Sequence, residues 1–101
     1  CLAQAIEGGK GGTYRILPNA VLLVTRPISV PAFDTIIQCG KDGSSEDSCS
    51  VFGGLSQFFV NGLNNAVEFV GLTIIAASKG AVRHEGSGNS SVFFRDCFFA
   101  G

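Results

Sequence analysis

Val67-Glu68-Phe69-Val70-Gly71-Leu72-Thr73-Ile74-Ile75 and Val92-Phe93-Phe94-Arg95-Asp96-Cys97-Phe98-Phe99-Ala100 carry one hydrophobic pattern twice. The second copy follows the first at a register of about 25 residues, within the range of solenoid repeats. In each copy two alternating apolar positions, Val67 and Phe69 or Val92 and Phe94, lead to a break at Gly71 or Asp96. Two more apolar positions then follow in alternation, Leu72 and Ile74 or Cys97 and Phe99. Alternation at period two marks short strands with one buried side. A tight bend that keeps the same side buried, recurring at a fixed spacing, marks a stacked repeat.

The period-two pattern extends back toward the start of the chain. Thr13–Leu17, Val21–Val24, Ile28–Val30, Thr35–Gln38, Ser50–Phe52, Phe58–Val60 and Ala81–His84 read as further strands, making eleven with the two copies counted as pairs. Pro18-Asn19, Pro27, Pro31, Gly53-Gly54, Asn61-Gly62, Asn64-Asn65, Gly71, Lys79-Gly80 and Gly86-Ser87-Gly88-Asn89 separate them and supply bends. Asn61-Gly62 suits a hairpin, but the register of the repeat argues for parallel strands taken in threes. Ahead of them Cys1–Glu7 places Leu2, Ala5 and Ile6 at helical spacing and stops at Gly8-Gly9, which predicts a short helix over the open first coil. The division expected is 1–12 for a capping helix with a Gly-rich connector and 13–101 for the repeat.

The run Asn64–Ile74, then Gly80-Ala81-Val82, then Asn89–Phe99 resembles the right-handed parallel β-helix repeat of the pectate-lyase-like superfamily, over roughly residues 13 to 101. The resemblance implies an all-β solenoid of about 3.7 coils, eleven strands taken three at a time. Members include polysaccharide lyases, pectin hydrolases and esterases, tailspikes, adhesins and repeat domains without a known reaction. The Gly-His-Gly and paired Asp-Asp motifs of pectin-hydrolysing members are absent, so no family catalytic residue carries over. Members of that superfamily usually have many more coils. The sequence therefore reads as an N-terminal piece with its cap, its last coil either continued by further chain or met by a second copy.

Composition narrows the function classes. The 101 residues include 46% apolar ones, enough for a core, and the core material is Phe, Val, Ile, Leu and Ala, with nine Phe and neither Met nor Trp. Seven basic against eight acidic residues give a net charge of −1 and no electrostatic case for nucleic acid or an anionic membrane. No apolar run approaches the ~18 residues that span a bilayer, and no basic leader precedes an apolar stretch. The start at Cys1, without Met, reads as a trimmed boundary, with a lipid-modified mature Cys as the alternative.

Four cysteines in a chain of this length suit an oxidising, extracellular or cell-surface setting. Cys39 and Cys49 flank a polar loop, Gly40–Ser48, and a disulfide between them would stabilise the fold by about 2–3 kcal/mol. Cys97 occupies the repeat position of Leu72 and is expected to be an inward, buried thiol; whether it pairs with Cys1 stays open. Asn89-Ser90-Ser91 is a glycosylation sequon.

Arg83-His84-Glu85 is the densest polar cluster on a predicted strand. Arg83 could act as a base or hold a uronate carboxylate, and Glu85 could serve as acid or metal ligand, making these the candidate catalytic residues. Alternating Arg and Glu also simply solvate a sheet face. His84 is expected inward as a hydrogen-bonded wall residue.

Asp42, Glu46 and Asp47 do not follow the spacing of a calcium loop, and Gly8–Thr13 lacks the order of a phosphate loop, so neither metal nor cofactor is expected. Thr13, Thr25, Thr35 and Thr73 do not recur at the coil period, which argues against an ice-binding face. Three functions remain. The first is a noncatalytic structural or recognition module, with polysaccharide as partner. The second is the N-terminal part of a carbohydrate-active lyase or hydrolase. The third is a module that self-associates end to end through Phe93 and Phe98, both outward by alternation.

Overall fold

The structure, a computed structural model, describes residues 2–31, 33–43, 45–53, 57–61, 65–75, 82–85 and 91–100. The fold is mostly β. After the helix α1 (Leu2–Gly8) come β1 (Gly12–Ile16), β2 (Val21–Leu23), β3 (Ile28–Val30) and β4 (Thr35–Cys39). A 3-10 turn at Ser45–Asp47 precedes β5 (Cys49–Phe52), β6 (Phe58–Asn61), β7 (Ala66–Val70) and β8 (Leu72–Ile75). β9 (Val82–Glu85), β10 (Ser91–Arg95) and β11 (Phe98–Ala100) complete the described strands.

Every third strand falls in the same sheet. The first sheet has the order β1-β4-β7-β10, the second β11-β8-β5-β2 and the third β3-β6-β9, and all their pairings are parallel. The quoted repeat sets the last step, in which Val67 lies opposite Val92 and Thr73 opposite Phe98, the same interval along the chain in both sheets. Earlier steps on the first sheet are uneven: Gly12 lies opposite Thr35, a shorter interval, and Thr35 opposite Val67, a longer one. The longer step holds the polar loop closed by a Cys39–Cys49 disulfide, with Cα atoms 5.6 Å apart.

The passage from first to second sheet is made by the same backbone device each time. Asn19, Ser48, Gly71 and Asp96 have φ of 64°, 54°, 72° and 52°. Continuing the pairing of the second sheet by one or two residues puts these four in one row. A left-handed residue turns the chain sharply while strand alternation resumes with the same side inward. Asn and Asp tolerate that conformation better than most residues and Gly is free to adopt it, so three of the four corners use favourable types.

Inward positions build the core. Ile37, Val51, Val60, Val67, Phe69 and Leu72 are fully buried. An aromatic run crosses it: the ring centroids of Phe58 and Phe69 are 4.7 Å apart, Phe69 and Phe94 stack at 5.3 Å, and Phe94 meets Phe99 edge-on at 5.1 Å. Such ring pairs add stabilisation beyond their buried area.

α1 packs against β3 and β1, the edge strands of their sheets, and its own Ile6 is fully buried there. At its end the Glu7 carboxylate accepts the Ser29 backbone N–H of β3 at 3.0 Å and both Arg26 guanidinium nitrogens at 2.7 Å. One unpaired donor of an edge strand is thereby satisfied. The Arg26 guanidinium, followed by the Ser29 N–H, holds the Glu7 carboxyl down at about 2.

Candidate functional site: a groove on the outer face of the first sheet

Because side chains alternate along a strand, the residues between the core positions of the first sheet form outer rows. Pairing aligns Thr13, Ile36, Glu68 and Phe93 in one row, and Arg15, Gln38, Val70 and Arg95 in the next. A groove of about 380 Å³ lies along the first row, with Asp34 and Ala66 at its margin. That volume falls within the range of small-molecule sites.

The disulfide loop covers the middle of the second row, Gln38 and Val70, while Arg15 and Arg95 at its ends stay exposed. Val70 is only 5% exposed although it occupies an outer position, because Gly43 lies against it; a Cβ on Gly43 would come within 2.6 Å of Val70 Cγ1. Gln38 Nε2 donates to the carbonyls of Lys41 at 2.7 Å and Gly40 at 3.2 Å, fastening the loop to the sheet. Gly40 and Gly43 adopt φ of 65° and 69°, which lets so short a loop fold back. The groove is thus a row of outer residues left open beside one whose centre is covered.

Polar groups around the groove are held in place. Asp34 Oδ1 accepts the Ala66 backbone N–H at 2.7 Å, joining the margins of β4 and β7. Glu68 Oε1 pairs with Arg95 at 2.7 Å. Ile36 lies between Thr13 and Glu68 in the row, and Phe93 is 55% exposed at its far end. Arg15 and Arg95 balance Asp34 and Glu68, so these outer groups sum to zero charge.

The residues singled out from the sequence lie elsewhere, with one exception. Arg83 and Glu85 are on β9 in the third sheet, their backbones opposite Phe59 and Asn61; the side chains of residues 83–85, His84 included, lie outside the described residues. Asn89 and Cys1 also lie outside them. Phe93 and Phe98 are both exposed but belong to different sheets, so the pair does not form one patch: Phe93 lines the groove and Phe98 continues the outer row Val21, Ser50, Thr73 of the second sheet.

Cys97 is a free thiol, half-buried rather than buried, with Sγ donating to the Phe69 carbonyl at 3.2 Å. Burial raises its pKa, so it is a poor nucleophile. Among the described residues no three His, Cys, Asp or Glu side chains converge to hold a metal, and no helix is long and apolar enough to cross a membrane.

Nothing in the sequence marked Thr13, Asp34, Ile36 and Glu68 as parts of one site. Glu68 and Phe93 hold the same place in the quoted copies, a signal visible once the two are aligned. Thr13 and Ile36 join that row only through the uneven steps. No protein family, curated protein or solved structure matches this chain.

Proposed function

We propose that the chain is a right-handed parallel β-helix of about 3.7 coils with α1 over its first coil. We further propose that it serves as a noncatalytic recognition or structural module of an extracellular or cell-surface protein. The observation that carries this reading is the groove: an ordered row on a regular sheet, with its polar groups anchored and without a converging acid, base and nucleophile among the described side chains. The Cys39–Cys49 disulfide supports the extracellular setting. The resemblance of the repeats to pectate-lyase-like domains makes polysaccharide the partner class.

A screen of acidic and neutral polysaccharides, with and without calcium and scored for both binding and product formation, tests it. Binding without cleavage is expected. Cleavage would favour the carbohydrate-active enzyme and turn attention to Arg83 and Glu85.

A second reading, end-to-end self-association, passes from Phe93 and Phe98, which lie on separate sheets, to the inward rings beside them. Phe94 and Phe99 follow Phe69 and Ile74 in inward rows, yet they are 42% and 57% exposed. Large apolar side chains at the edge of a parallel sheet invite a further strand or a second copy. Serine at both positions would then reduce the sedimentation coefficient to that of a monomer; an unchanged profile would sink this reading.

A further inference from the structure

Recognition leaves the ligand class open, and the groove narrows it. Three of its properties bear on the choice. Its first property is an aromatic platform. Phe93 is more than half exposed at the end of the outer row, with the Ile36 side chain farther along that row. An aromatic ring presents a partly negative face, and the C–H side of a pyranose ring presents weakly positive hydrogens to it.

The second property is a pair of anchored acceptors, Glu68 within the row and Asp34 at its margin. Glu68 and Asp34 each keep one oxygen engaged, with Arg95 and with the Ala66 N–H, and both residues line the groove. Sugar hydroxyls donate well to carboxylates, and carboxylates already held by other bonds lose little further freedom when a ligand arrives. The Thr13 hydroxyl, at the opposite end of the row from Phe93, can donate or accept.

The third property is charge. A polyuronate would bring carboxylates against Asp34 and Glu68, the charged residues that line the groove, while Arg95 is paired with Glu68 and Arg15 stands in the next row. Like charges without an intervening cation repel, and no three metal-ligating side chains converge among the described residues. The balanced face suits a ligand without net charge. The row crosses four strands, about 14 Å at ~4.8 Å per step, so it accommodates a short stretch of chain as well as a single ring.

We infer that the groove lined by Thr13, Asp34, Ile36, Glu68 and Phe93 binds a neutral glycan, with a pyranose face on Phe93 and hydroxyls donated to Glu68 and Asp34. This rests on the recognition reading above and specifies its site and ligand. Binding follows the sheet, not calcium.

The test uses the ¹⁵N-labelled chain titrated with cellohexaose, mannohexaose, xylohexaose and hexagalacturonate, each with and without calcium. Amide shifts locate binding and calorimetry measures Kd. At least one neutral hexaose is expected to move amides of β1, β4, β7 and β10 around Thr13, Ile36, Glu68 and Phe93, independently of calcium. Phe93→Ala is expected to weaken it about tenfold and Glu68→Gln several-fold, with thermal melting and sedimentation unchanged because both side chains lie on the outer face.

Shifts confined to the second or third sheet would overturn the groove while leaving the recognition reading intact. Hexagalacturonate binding in the groove with the neutral sugars silent would overturn the neutral class alone. Silence from all four sugars ends the inference, and the wider polysaccharide screen then decides the recognition reading separately. Should Phe93→Ala lose its fold, Thr13→Glu, a change at an exposed position, supplies the same block; full binding by that variant also counts against the groove.

Discussion

The two ends of the described strand stack differ in what lies over their inward rows. At the β1 and β3 edge, α1 lies over the strands, Ile6 is fully buried and Glu7 satisfies the Ser29 N–H. At the β10 and β11 edge, Phe94 and Phe99 remain 42% and 57% exposed although their row-mates Phe69 and Ile74 are buried. Equivalent inward positions thus differ only in whether another element covers them. A β-strand supplies the side-chain pattern, but its worth in burial depends on what is stacked above it.

The widest separation between the ends comes from truncating one apolar side chain at each. Ile6→Ala is expected to cost about 2–4 kcal/mol, because it empties a fully enclosed site. Phe99→Ala is expected to cost about 1 kcal/mol, since more than half of that ring is already in water. Urea denaturation of both variants measures the difference, and equal costs would break the comparison.

Between the ends, the disulfide should matter nearly as much as the helix. Removing it with paired Ser substitutions at Cys39 and Cys49 is expected to cost about 2–3 kcal/mol by loop entropy. It should also speed hydrogen exchange at Val70, whose cover is the loop. Slow exchange persisting at Val70 would show that the Gln38 hydrogen bonds hold the loop without the covalent link.

A smaller effect is expected from pH. Glu7 titrates near 2 in the fold against about 4.5 when free, so its contribution is present above about 4.5 and is lost as the pH falls through about 2. Arg26 is largely exposed, so salt screens the pair and the change stays modest. Glu7→Gln should flatten the acid limb of a stability-against-pH curve over that interval, and the exchange of the Ser29 amide should accelerate in the same variant. An unchanged acid limb would mean that the helix end is held by Ile6 alone.

The smallest effect is reserved for outer residues. Serine at Phe93 or at Phe98 singly should shift stability by about 0.5 kcal/mol, less than Phe99→Ala, because neither ring sits in an inward row or belongs to the core. A larger loss would mean that these rings are covered in solution.

Much of this architecture was legible in the residues. Alternation around Gly71 and Asp96 marked the strands, and the structure places each within one or two residues of its expected bounds. The Cys39–Cys49 pair was legible because its polar loop was unlike anything around it. Ser48 was not legible as a corner, since it sits inside that loop and Ser is no signature of a left-handed backbone, yet it takes φ of 54° in register with Gly71. The groove was hidden for a related reason. Its residues come from four strands separated by unequal stretches of chain, and no fixed period brings Thr13, Ile36, Glu68 and Phe93 together.

By itself the sequence determined which side of each strand is apolar, where the chain must bend, and that a disulfide-sized loop interrupts the repeat, because these depend on neighbours in the chain. Only the tertiary structure decided which outer residues share a row, that the loop covers Val70 and leaves the row beside it open, and that Phe93 and Phe98 lie on separate sheets. Those outcomes depend on interstrand register, which accumulates every insertion between one strand and the next and is set by the packing of the core rows.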